Sequence, residues 1–137
     1  MFVVKLTWDK WDWDKPDADQ LEQFALSSPS VPDIEKAIRR LDGKHFSLVV
    51  IYGDGEAHMA IAGGNSDQYI VSASYDNERF FTPENSDKDT KPVYLFAGGQ
   101  RGDYPENMVT NLEASLAAAR IFAENCTLDP SLTWTEK

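Results

Sequence analysis

Residues 46–74, "FSLVVIYGDGEAHMAIAGGNSDQYIVSAS", set the architecture of this chain. Three apolar runs, 46–52, 57–63 and 68–74, are each about the length of one strand. They are separated by "GDGE" and "GNSD", both strong turn signals. Short runs joined by tight turns pair readily with their sequence neighbours, so the stretch reads as an antiparallel meander.

The flanks extend the pattern. Upstream, "SVPDIEKAIRRLDG" (30–43) reads as a helix: Ser30 can cap it, Pro32 suits its first turn, and Ile34, Ala37, Ile38 and Leu41 fall at i, i+3, i+4 and i+7. Gly43 suits a left-handed position just past its end. Earlier still, residues 2–8 alternate, with Phe2, Val4, Leu6 and Trp8 on the side expected to face inward. Asp19, Leu21, Glu22, Phe24 and Ala25 suggest a short helix capped by Asp19, ended by "SSPS".

Downstream, "RFFT" and "VYLFAGG" predict two more strands, separated by the hydrophilic "PENSDKDTKP", an expected exposed loop. In "TNLEASLAAARIF", Thr110 and Glu113 have the spacing of a capping box. Leu112, Leu116, Ala119, Ala123 and Cys126 form the expected apolar stripe of a last helix. "LTW" (132–134) predicts a short edge strand or a tryptophan tucked against the core. The sum is an α+β domain over 1–137: a mainly antiparallel sheet of about five to seven strands with two or three helices packed largely on one face.

Composition narrows the function. The chain has 137 residues, the usual size of one domain. With 23 acidic against 13 basic residues the formal charge is −10, which opposes general affinity for nucleic acid and favours a basic protein partner. One cysteine allows no internal disulfide and suggests a reducing compartment. Neither a signal-peptide h-region nor an apolar run of membrane-spanning length is present, so a cytoplasmic location away from membranes is expected.

Chemistry-bearing patterns are sparse. His45 and His58 have no zinc-ligand spacing with each other or with Cys126, and no metal or cofactor is expected. "AGGN" and "AGGQRG" read as turns rather than phosphate cradles, because no helix starts directly after them. The "RGD" at 101–103 reads as loop sequence. Asp12, Asp14, Asp17 and Asp19 are spaced somewhat like a calcium loop but lack its turn glycine and closing glutamate. Asp54 with Glu56, or Asp76 with Glu78, could form a hydrolase's carboxylate pair, but no third group fixes a geometry. An enzyme is not expected.

The segment "VYLFAGGQRGDYPENMVTNLEASLAAARIFAENCTLDPSLTW" (93–134) resembles the closing signature of the first-numbered immunity-protein family of bacterial polymorphic toxin and contact-dependent growth inhibition systems. The resemblance rests on Tyr94 to Phe96, the pair Gly98 and Gly99, a helix with Ala117 to Ala119 and Phe122, and Trp134. With the upstream helix and strands it covers roughly 31–134. It implies a non-enzymatic cytoplasmic antitoxin that neutralises one cognate toxin domain, often a nuclease or nucleic-acid deaminase, and it assigns no contact positions.

Those positions come from the residues themselves. The arm "WDKWDWDKPDAD" (8–19) alternates tryptophan with aspartate, and aromatics concentrate at interface centres. Trp11, Asp12, Trp13 and Asp14, together with Asp76, Glu78, Asp103, Tyr104 and Glu106, are the expected contacts with a basic toxin surface. The alternatives are that the arm covers a sheet edge, or that Trp11 and Trp13 form a stacking platform for a small ligand or carbohydrate. The oligomeric state is open.

Overall fold

The computed structural model describes residues 2–137. In chain order the elements are β1 (Lys5–Trp11), β2 (Leu21–Ser27), α1 (Val31–Arg39), β3 (Leu48–Tyr52), β4 (His58–Gly63), β5 (Tyr69–Ser74), β6 (Phe80–Pro83), β7 (Pro92–Ala97), β8 (Gln100–Pro105), α2 (Leu112–Asn125) and β9 (Trp134–Glu136). Seven strands form one antiparallel sheet in the order β2-β1-β3-β4-β5-β6-β9, and β7 pairs with β8 in a separate hairpin. The fold is α+β, with the expected meander forming β3, β4 and β5 at the centre of the sheet and β6 continuing it.

Cross-strand partners share a face, so the register defines two. Leu6, Ile51, Met59 and Ala73 form one row on the inner face, and Val49, Ile61 and Val71 form the next. These residues are buried with Ile34, Ala37, Ile38 and Leu41 of the α1 segment and Ala118, Ala119, Phe122 and Ala123 of α2. Both helices therefore cover this face, and α1 forms as its periodicity predicts. The hydroxyl of Ser30 accepts from the Asp33 N–H at 3.2 Å while Asp33 accepts from the Ser30 N–H at 2.9 Å. Gly43 takes φ +68°.

Several expectations need correction. Residues 21–27 are a strand, not a helix; Leu21, Phe24 and Ala25 have a helical spacing, but both faces of the segment are largely solvated and it pairs with β1 along its whole length. The "RGD" lies in β8, whose polar residues carry no strand pattern. Just before β1 it is Val3 that is buried, while Val4 is exposed. The Phe2 and Val3 N–H groups both reach the Ala123 carbonyl at the end of α2, and regular pairing begins only at Lys5.

In α2 the cap is Asn111, whose side chain accepts from the Ala114 N–H at 2.9 Å. Thr110 is held instead in a backbone bridge with Tyr69. The buried stripe of α2 is accordingly Ser115, Ala118, Ala119, Phe122 and Ala123, and Cys126 is the left-handed C-cap with φ +57°.

Candidate partner-binding surface

The acidic arm is the connection of the β1–β2 hairpin. β1 runs on to Trp11, and residues 12–20 loop back to β2 with four exposed or half-exposed aspartates, Asp12, Asp14, Asp17 and Asp19, against one lysine. Asp12 starts the loop by accepting from the Asp14 N–H at 3.1 Å, and its own N–H donates to the Gln20 carbonyl at 2.9 Å. Asp14, Asp17 and Asp19 project into solvent, a strongly negative loop at one end of the sheet.

Trp11 and Trp13 of this arm turn back onto the β7–β8 hairpin, with Trp13 still 40% exposed. The Trp11 and Trp13 rings stack at 5.1 Å, and each meets Phe96 of β7 edge to face, at 5.8 and 5.5 Å. The Trp13 indole N–H donates to the Lys44 carbonyl at 2.9 Å, and the Trp11 backbone N–H donates to the His45 carbonyl at 2.7 Å. The 42–47 turn that offers these carbonyls is organised by Asp42, one of whose oxygens accepts from the N–H groups of Lys44, His45 and Phe46. Partial burial opposes ionisation of Asp42, but those three donors and His45 outweigh it, and its pKa is lowered.

A buried polar hub sits beneath the cluster. Asp9 accepts from the N–H groups of Ser47 (2.7 Å) and Leu48 (2.9 Å), from the Ser47 hydroxyl, and from the Trp11 indole N–H (2.8 Å). The Gly99 N–H completes the chain by donating to Ser47 Oγ at 3.1 Å. Gly98 and Gly99, at φ +62° and +82°, make the two-residue turn of the β7–β8 hairpin, a conformation that glycine supplies without strain. At Gly99 a Cβ would stand 2.3 Å from the Trp11 ring, so glycine also permits the docking.

On the outer face, away from the helices, Thr7, Ala25, Val50, Ala60 and Ser72 form one cross-strand row. Two adjoining hollows of about 280 and 340 Å³ lie over this face and share Leu48 and Tyr52. The sheet ends at β2, whose Leu21 and Leu26 are 41% and 37% exposed.

The remaining expected contacts divide. Asp103 pairs across the hairpin with Tyr94, on the same hairpin face as the Phe96–Arg101 pair; Tyr94 is 53% exposed and carries the Arg101 guanidinium 5.1 Å from its ring. Asp103 thus joins the side of the molecule that carries Trp13. Tyr104 alternates to the opposite hairpin face, its ring over Gly102, and Glu106 begins the short 3-10 turn after β8.

Asp76 and Glu78 occupy the β5–β6 turn at the far end of the sheet, about 20 Å of strand away from the arm. There Asp76 accepts from the Arg79 and Glu78 N–H groups, and those bonds lower its pKa. Asp54 and Glu56 are exposed on the β3–β4 turn, also at that end.

Sequence reasoning missed the Asp9–Ser47 hub and the β2 edge. The signal for the first was an acidic residue, Asp9, beside the inward Trp8 in the first strand. The second has none, because the edge is defined by the strand it lacks.

Among the described residues, no helix is long and apolar enough to cross a membrane, and no three His, Cys, Asp or Glu side chains gather as a metal ion would need. No curated protein matches the chain significantly. The family model for Immunity protein Imm1 matches residues 25–136, from the middle of β2 through β9, in agreement with the resemblance read from the C-terminal third. The chain belongs to the Imm1 family of immunity proteins.

Proposed function

We propose that this protein is an antitoxin that binds and neutralises the effector domain of a secreted or contact-delivered bacterial toxin in the cytoplasm of the cell that makes it. The effector is a nuclease or nucleic-acid deaminase, and the antitoxin covers its basic substrate groove or active site. Membership of the Imm1 family carries the reading. The charge of −10 and the solvated aspartates of the 12–20 loop support it, because an enzyme that handles phosphate backbones presents the opposite charge.

Asp12, Asp14 and the exposed face of Trp13, with Asp103 nearby, form the proposed contact region. Acidic groups steer the encounter and the aromatic anchors it. Asp76 and Glu78 contribute to the long-range field from the other end of the sheet.

Co-expression with the effector domain encoded beside the chain is the direct test. Growth is restored if the reading is right, and persistent arrest with soluble antitoxin present counts against it. The steering is read from the association rate as a function of salt: it falls steeply with ionic strength, and a flat series refutes it. Charge reversal at Asp12 and Asp14 that leaves affinity unchanged removes the arm from the interface.

A further inference from the structure

The two ends of the seven-stranded sheet are built differently. β9 is three residues long and its Glu136 is engaged by Arg79, the short charged edge that resists strand addition. β2 is seven residues long, about 23 Å, and Glu22 is its only charged residue.

Its hydrogen-bonding parity follows from its flanks. The Asp12 N–H donates to the Gln20 carbonyl and the Ser28 N–H to the Val4 carbonyl, so even-numbered residues of this segment face β1. Leu21, Gln23, Ala25 and Ser27 therefore point N–H and C=O outward, and among the described residues no hydrogen bond satisfies them.

We infer that β2 is a strand-addition site for an extended basic segment of the toxin, which pairs antiparallel to it as an eighth strand of the sheet. The inference rests on the antitoxin reading and specifies how that partner is held. Backbone pairing supplies affinity, and Leu21 and Leu26 offer apolar contacts on the two faces of the added strand.

Charge selects the occupant. β2 starts directly after the loop bearing Asp12, Asp14, Asp17 and Asp19, so an antiparallel partner brings its C-terminal end against that loop, where lysine or arginine is favoured. A second copy of the chain, itself at −10, is disfavoured by the same field. The family match begins at Ala25, so the loop and the first half of β2 lie in the part of the chain outside it.

The experiment titrates the purified effector domain of the toxin encoded beside the chain against the full-length protein and its Gln23→Pro and Ala25→Pro variants. Proline at either position removes one outward N–H and leaves the β1 ladder intact. In the complex with the parental chain, exchange of the Leu21, Gln23, Ala25 and Ser27 amides slows, and Ala25→Pro raises Kd about tenfold or more.

Unchanged exchange across 21–27 in that complex overturns the inference even if the proline variants fold poorly, and leaves the antitoxin reading standing. Failure of the parental chain to bind overturns both. A free chain that elutes as a dimer, and as a monomer after Ala25→Pro, assigns the edge to a second copy and also overturns the inference.

Discussion

The carboxylate of Asp9 and the backbone and hydroxyl of Ser47, 38 residues apart in sequence, form the buried junction on which the arm is assembled. Asp9 holds the entry to β3 and the Trp11 indole, and Ser47 passes the connection to Gly99 at the hairpin tip. Three pieces of chain that share no sequence neighbourhood are joined through these two side chains.

Asp9→Ala removes the acceptor for the Ser47 and Leu48 N–H groups and the Trp11 indole, leaving buried donors unmet. Such groups cost about 1–3 kcal/mol each when unsatisfied, and partial entry of water recovers some of that. The expected loss is about 2–4 kcal/mol by urea unfolding. Asp9→Asn keeps one acceptor oxygen and is expected to lose less.

Gly98 and Gly99 separate backbone strain from docking. Gly99→Ala places a Cβ 2.3 Å from Trp11 in addition to its positive φ, whereas Gly98→Ala meets nothing closer than Leu48 at 3.7 Å. Both variants incur a left-handed cost of about 1–2 kcal/mol. Only Gly99→Ala is expected to red-shift the tryptophan emission, by prising the hairpin tip from the arm.

The parallel stack of Trp11 and Trp13 couples two indoles at 5.1 Å. An exciton couplet in the far-ultraviolet circular dichroism is expected, and Trp13→Ala removes it. Because Trp13 is 40% exposed, the accompanying stability loss is about 0.5–1.5 kcal/mol. A spectrum unchanged by the substitution would refute the stack in solution.

Acid destabilises the fold through identifiable carboxylates. Asp42 is lowered by its backbone donors against partial burial, Asp76 by the Arg79 and Glu78 N–H groups, and Glu136 by its hydrogen bond to Arg79. A group whose folded pKa is depressed binds protons more readily when unfolded. Its stabilisation is therefore complete above the unfolded pKa near 4 and is lost as pH falls through the lower folded value. Denaturation midpoints should be flat from pH 7 to 5 and fall below about 4. Asp42→Asn reduces that slope.

Burial raises the pKa of the Cys126 thiol, and the residue is half-buried at the end of α2. Alkylation by iodoacetamide at neutral pH is therefore expected to be slower than in the urea-unfolded chain, with the two rates converging as pH rises. Equal rates at neutral pH would contradict the packing.

The meander and the first helix were legible because their cause is local. Ile34, Ala37, Ile38 and Leu41 repeat with the period of a helix, and the inward residues of β3 to β5 sit between turns that need no distant partner. At α2 the helix was legible but its phase was not. Thr110 and Asn111 are both competent caps, and the bridge from Thr110 to Tyr69 decides between them.

By itself, then, the sequence determined the fold class, the central sheet and its helical cover, the acidity, and the family. Those depend on periodicity, turn residues, composition and short motifs that act within a few residues. Only the tertiary structure decided that residues 21–27 form an edge strand and that Trp11 and Trp13 turn onto Phe96. It also decided that Asp76 stands at the far end of the sheet from Asp14. The physical reason is that such relationships are pairings between separated segments. A strand solvated on both faces needs no alternating apolar pattern to mark it, and a tryptophan's neighbour is set by where β7 docks.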